Sequence, residues 1–495
     1  MQYFSTRGRG EGVSAAQAIA QGICSDGGLF VPETFPRVSA EELSGLDYPG
    51  RAARIMAPYL SDFSGEELRE SVFRAYGGEK FSGGDPAPLT ALSGGLSVLE
   101  LWHGPTCAFK DMALQLLPQL LTRSLRKIRA GKDALILVAT SGDTGKAALE
   151  GFRDVPGTRV LVFYPQHGVS ALQERQMRTQ EGGNVSVVGV RGNFDDAQTG
   201  VKRIFGDEAI RRKVGERGLM LSSANSINWG RLLPQIVYYF SAWCDLLKSG
   251  SVRPGEEVNF CVPTGNFGDI LAAYYAKRMG LPVRRLICAS NANDVLTQFL
   301  TTGVYDRNRA FHPTISPSMD ILVSSNLERL LFDLTGGDGA RVSAWMQELA
   351  ENGTYRVDPE TFRRVREIFR ASSCSDAETK EEIREAYGEH RYLCDPHTAV
   401  AMRACGRYLA GTGDGTHTVV VSTASPFKFA PDVLEALGGE AAGDVFRAVE
   451  RLSEKTGAPV PAPIASLEKK PLRFSEVCGK DEMGTAVLRA AGAGG

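Results

Sequence analysis

Short, almost uninterrupted apolar runs alternate along this chain with longer segments whose apolar positions recur at helical spacing. LSVLELW (96–102), ALILVAT (134–140), RVLVFYP (159–165), NVSVVGV (184–190), GLMLSSAN (218–225), EVNFCVP (257–263), VRRLICAS (283–290) and the run opening at 417 read as strands. Between them, SALQERQMRTQ, DDAQTGVKRIF, WGRLLPQIVYYFSAWCDLL and ILAAYYAKRMG read as helices, as does 110–128, where Pro118 either kinks the helix or begins a new one. Strands without polar alternation are buried on both faces, so the pattern predicts an α/β fold of mainly parallel open sheets with helices on both faces. Such sheets take their ligand at the carboxyl ends of the strands.

With 495 residues the chain exceeds one ordinary core. Residues 1–90 form a first unit of short helical pieces, closed by the Gly- and Pro-rich KFSGGDPAPLTAL loop. Residues 91–435 form the main α/β region, expected as two subdomains with the active site between them, and 436–495 form a Pro- and Ala-rich extension. The stretch 300–415 is less regular, although SDAE at 375–378 has the spacing of a capping box. A net charge of −2 provides no field to gather nucleic acid or an anionic membrane. Nine cysteines without a CxxC pair, several inside apolar runs, predict reduced buried thiols. The opening MQYFSTRGRGEG lacks the apolar stretch of a secretory leader and no apolar run is long enough to span a bilayer, so a cytoplasmic protein is expected.

Polar, glycine-bearing segments follow several of these strands. In WHGPTCAFKD (102–111), Lys110 stands at the start of an apolar helix, where the helix dipole and enclosure both depress an amine's pKa, as a Schiff-base lysine requires. On that segment alone, an ordinary solvated first-turn lysine is the better reading. TSGDTGKAA (140–148) makes a compact turn into a helix, and PTGNFGD (263–269) can turn successive backbone N–H groups toward a phosphate. The latter lacks both the GxGxxG spacing of a dinucleotide site and the GK[ST] ending of a nucleotide loop, so a phosphorylated cofactor without a nucleotide fits better. SSANSINWGR (222–231) gathers short neutral hydrogen-bonding side chains suited to a carboxylate or phosphate, or to a helix cap. In STASPFKF (422–429), Thr423 can reach a ring nitrogen and Lys428 an anion. The six histidines provide no HExxH and no partnered cysteine, so no metal site is expected, and no GxSxG elbow is present.

These blocks, together with YFSTRG (3–8), SDGGLFVP (25–32), SPSMDI (316–321) and DPHTA (395–399), resemble the threonine synthase family, in its longer bacterial and fungal form. That family is a tryptophan-synthase-β-like group of fold type II pyridoxal-phosphate enzymes. The N-terminal pair of blocks separates the chain from threonine dehydratases and cysteine synthases.

The resemblance implies pyridoxal 5'-phosphate held as a Schiff base on Lys110, and its phosphate cupped by Gly265, Asn266, Phe267, Gly268 and Asp269. It further implies Thr423 at the pyridine nitrogen, and Asp143 where relatives often have an asparagine beside the ring hydroxyl. Thr106, Ser226, Asn228 and Lys428 are the expected substrate contacts, and Cys107 stands where leucine is expected. The implied reaction is γ-elimination and β-hydration of O-phospho-L-homoserine to L-threonine and phosphate by a monomer or homodimer, with a threonine or serine dehydratase-like lyase as the alternative.

Overall fold

The alternating pattern resolves into two parallel sheets. In this computed structural model, all residues are described except 9, 441–442 and 493–495 and the side chain of Asp195. One sheet has six strands in the order 369–373, 283–290, 258–263, 418–422, 96–100 and 89–91, parallel except for the last. The other has five parallel strands in the order 477–479, 185–191, 158–165, 133–139 and 219–223. Helices cover both sheets, and the long helix Trp229–Ser249 is buried along most of its length, as its apolar sequence requires.

Pro118 begins a new helix rather than kinking one. Residues Asp111–Leu114 form a short helix directly after Lys110, and Leu117–Lys127 a second with Pro118 in its first turn, where proline's missing N–H is harmless. Ser375 forms the expected capping box with Glu378. Three strands of these two sheets have no clear sequence signal. Leu89–Ala91 and Phe369–Ser373 lie at the two edges of the six-stranded sheet. Val477–Gly479, in the Pro- and Ala-rich tail, adds an edge strand to the other sheet by pairing with Val185–Arg191.

The N-terminal unit docks through its first motif. Strands Tyr3–Ser5 and Phe30–Pro32 pair antiparallel. Ser5 donates to Asp26, while Thr6 and Arg7 both bind Glu328 in the helix Leu327–Leu334. YFSTRG and SDGG are thus two sides of one joint to the main region. All nine cysteines are buried free thiols, and among the described residues no helix is long and apolar enough to cross a membrane.

Candidate active site

The loops singled out in the sequence meet at the carboxyl ends of both sheets. Lys110 follows the 96–100 strand, and burial lowers its pKa to about 8 against the opposing pull of Asp143 and Asp269. Arg231 and Lys428 contribute to that lowering, so four charges from separate segments converge on one amine. Its Nζ lies 4.1 Å from the centre of the Phe109 ring and has no hydrogen-bond partner among the described residues. The preceding loop is held by Asp111, whose carboxylate accepts the backbone N–H and the hydroxyl of Thr106, both at 2.8 Å. Burial raises Asp111 to about 7. Gly104 is required there, since a Cβ would lie 2.5 Å from Asp111 Oδ2.

Thr106 shapes the Lys110 loop from both sides: its hydroxyl donates to Asp111 and its carbonyl accepts Lys428 Nζ at 3.1 Å. Lys428, fully buried, also donates to Asp143 Oδ1 at 2.6 Å, and Gln173 donates to the same oxygen at 2.9 Å. Burial opposes ionisation of Asp143, but Lys428 and Lys110 outweigh it and hold the carboxyl at about 2. Lys428 thus binds a carboxylate of the chain itself. Thr423, beside it, ties the two loops together by accepting the Phe109 N–H at 2.8 Å.

The PTGNFGD loop opens the helix Gly268–Arg278. Phe267 takes a left-handed conformation (φ 60°), and a Cβ at Gly265 would lie 2.9 Å from the Ser318 carbonyl oxygen. The N–H groups of Gly265, Asn266 and Phe267 have no acceptor among the described residues. Orphan donors at a helix N-terminus fit a phosphate, so this cradle suits the phosphate of pyridoxal 5'-phosphate. Asp269 lies beneath it, accepting Tyr238 Oη at 2.5 Å and Tyr239 Oη at 2.6 Å. Its Oδ2 is buried without a partner, and burial raises the carboxyl to about 6.

The SPSMDI and DPHTA blocks supply the wall of this cradle. Asp395 caps the helix Pro396–Thr412 and binds His397 Nδ1 at 2.6 Å. His397 Nε2 accepts the Ser318 N–H at 3.2 Å, which places Ser318 against Gly265. His103 is instead paired with Glu100 at 2.7 Å and stacked on Trp102.

The SSANSIN loop divides into two roles. Asn228 Oδ1 accepts the Gly230 N–H at 2.8 Å as the cap of the long helix, and its Nδ2 donates to Ile19 O at 3.0 Å in the N-terminal unit. Asn228 thereby joins the long helix to the N-terminal unit. Ser226 is half-buried and forms no such tie. Arg231, whose only sequence signal is its place in the first turn of the helix, is the charged group of this loop. It is buried, donates from Nη1 to Ala224 O at 2.8 Å, and leaves its Nε without a partner. Burial alone lowers it to about 10.

Comparison with known proteins agrees with this geometry. A family described as pyridoxal-phosphate dependent enzyme matches residues 86–363, more than half of the chain, flanked by matches to the threonine synthase N terminus at 2–76 and the threonine synthase C-terminal region at 398–486. Threonine synthase of Pseudomonas aeruginosa is 42% identical over 445 residues, covering 88% of this chain and 90% of that one. Human threonine synthase-like 1 is 43% identical over 436 residues, covering 85% of this chain, which spans only 58% of the human protein. The crystal structure of pyridoxal-phosphate-bound threonine synthase from Brucella melitensis superposes with a TM-score of 0.88 at 36% identity, covering 99% of each chain.

The fold and the site therefore define a fold type II pyridoxal-phosphate-dependent enzyme. Within that class the chain belongs to the threonine synthase family.

Proposed function

We propose that this protein is a threonine synthase, a carbon–oxygen lyase that converts O-phospho-L-homoserine and water to L-threonine and inorganic phosphate, with Lys110 as the residue that holds the cofactor as a Schiff base. The observation that carries this reading is one buried amine, depressed to about 8, with Asp269 of the 263–269 loop and Arg231 of the 222–231 loop both near enough to shift it. The 263–269 loop presents free N–H groups suited to a permanently bound phosphate. The 222–231 loop presents the buried, unpaired Nε of Arg231, suited to a phosphate that must leave. A dehydratase acting on free threonine or serine has no γ-phosphate for the second anion site to hold.

Bound pyridoxal 5'-phosphate supplies the electron sink for the pair left behind when the substrate's Cα–H bond breaks. The chain's own groups do the rest. Gly265, Asn266, Phe267 and Gly268 would hold the cofactor phosphate, and Asp269 fixes the turn through its tyrosine bonds. Thr423 would serve the ring nitrogen, and Asp143, held ionised by Lys428, the ring hydroxyl. Lys110, once free, takes the α-proton at Nζ, and a pKa near neutrality lets the same amine return protons at later steps. Arg231 and Ser226 orient the substrate's γ-phosphate, which leaves with the Cγ–O electron pair as a Cβ proton is lost, before water adds at Cβ.

The test is an assay of the purified protein with O-phospho-L-homoserine that follows phosphate and threonine together. Equal release of the two is expected. Phosphate released with a 2-oxo acid in place of threonine would overturn the hydration step, and turnover of free threonine alone would favour the dehydratase. Lys110→Ala is expected to remove the lysine-linked cofactor absorbance, and its retention would overturn the lysine's role.

A further inference from the structure

Arg329 is a second buried arginine outside the machinery described above. It is fully buried in the helix Leu327–Leu334, and every acceptor it reaches is neutral. Nε donates to Phe30 O at 2.9 Å, Nη2 to Ile227 O at 2.6 Å and Nη1 to Asn326 Oδ1 at 2.6 Å. Asn326 in turn donates to Asn266 O twice, from Nδ2 at 3.0 Å and from its backbone N–H at 3.1 Å. One guanidinium thus touches the SDGGLFVP strand of the N-terminal unit, the SSANSIN loop and, through a single asparagine, the GNFG loop.

A buried guanidinium bound only to carbonyl and amide oxygens keeps its charge at a desolvation cost unless a negative charge lies near. The neighbouring carboxylate, Glu328, is already bound on both oxygens by Arg7 at 2.9 Å and by the Thr6 hydroxyl. Arg7 is also drawn by Asp26, so Arg329 is the buried cation of this cluster with no hydrogen-bonded carboxylate of its own. The fork fixes the height of each loop, and the guanidinium's own charge favours an anion in front of it.

We infer that Arg329 is the positioning residue that couples the two phosphate-holding loops to each other and to the N-terminal unit, and that it supports the cofactor phosphate through Asn326. The inference rests on the cofactor reading of the 263–269 loop given above. It also assigns a task to the N-terminal unit, whose Phe30 carbonyl is one of the three acceptors that hold the guanidinium in place.

The test compares apo-protein variants for binding of pyridoxal 5'-phosphate and of unphosphorylated pyridoxal by absorbance titration, with steady-state kinetics alongside. Arg329→Gln is expected to weaken pyridoxal-phosphate binding tenfold or more while changing pyridoxal binding less than twofold, and to raise KM for O-phospho-L-homoserine more than it lowers kcat. Arg329→Lys, which keeps the charge, should recover much of the cofactor affinity. Asn326→Ala cuts only the branch to the GNFG loop, so it should weaken cofactor binding and leave KM for the substrate near that of the wild type; it also serves if Arg329→Gln fails to fold. Equal loss of pyridoxal and pyridoxal phosphate in Arg329→Gln, or wild-type cofactor affinity in Asn326→Ala, would overturn the assignment. Wild-type protein that takes up no pyridoxal phosphate would instead overturn the cofactor reading itself, and this assignment with it.

Discussion

Lys428 and Asp143 stand 285 positions apart in the chain and form a buried ion pair at 2.6 Å. Asp143 follows a strand of the five-stranded sheet and Lys428 a strand of the six-stranded one, so the pair bridges the two lobes at the site. Removing one partner leaves the other charge buried and unpaired, which costs ~3–5 kcal/mol. Lys428→Ala should lose stability on that scale in urea denaturation, and Asp143→Asn combined with Lys428→Met should regain most of it. Asp143 is held at about 2, below its unfolded value near ~3.9, so its contribution is complete above that value and is lost as pH falls toward 2. A Lys428→Ala protein as stable as the wild type at pH 7 would show that the pair holds nothing together.

Lys110 titrates in the opposite sense. Burial lowers its pKa to about 8, so the folded protein disfavours its proton relative to the unfolded chain. The resulting penalty is fully present below about 8 and is relieved as pH rises toward the ordinary lysine value of ~10.4. Labelling of the apo-protein with an amine reagent, mapped by mass spectrometry, should show Lys110 reacting with a midpoint near 8 and surface lysines well above it. Asp143→Asn should lower that midpoint further, because Asp143 favours the charged amine. A midpoint unchanged from surface lysine would remove the basis for its proton-transfer role.

Much of this site was legible because its loops follow recognisable strands. Unpolar runs such as EVNFCVP locate strand ends, and glycines mark where backbone must bend or approach closely, so the places of Lys110, the 263–269 cradle and Thr423 could be read from local sequence. The partners of these residues could not. The bonds from Lys428 to Asp143, from Thr6 to Glu328 and from Asn228 to Ile19 depend on tertiary contacts between distant segments. Val477–Gly479 was invisible for a related reason: an edge strand of three residues needs little apolar periodicity when its partner supplies the register. A buried arginine has a weaker signal still. Arg231 and Arg329 differ from surface arginines only in what surrounds them.

Arg231 should show a conflict between stability and function. Its buried charge has one carbonyl partner at 2.8 Å and an Nε with none, so the empty site is destabilised by it. Arg231→Gln should leave the apo-protein at least as stable as the wild type in thermal denaturation. The same change removes the charge proposed to meet the γ-phosphate, and losing such a contact costs ~2–5 kcal/mol, or roughly 30-fold or more in KM. Unchanged KM with unchanged kcat would place the substrate phosphate elsewhere.

Asn228 and Ser226 stand two positions apart and should behave as different kinds of residue. Asn228→Ala removes a helix cap, which costs ~0.5–2 kcal/mol, and also the bond to Ile19 that holds the N-terminal unit against the long helix. A total loss of ~1–3 kcal/mol in urea denaturation is expected, with KM for O-phospho-L-homoserine close to that of the wild type in the protein that remains folded. Ser226→Ala removes no such tie, so it should leave the denaturation midpoint unchanged and raise KM. The reverse outcome, a stable Asn228→Ala protein with raised KM, would mean that the amide turns from Ile19 toward the substrate on binding, and that the cap is a feature of the empty site alone.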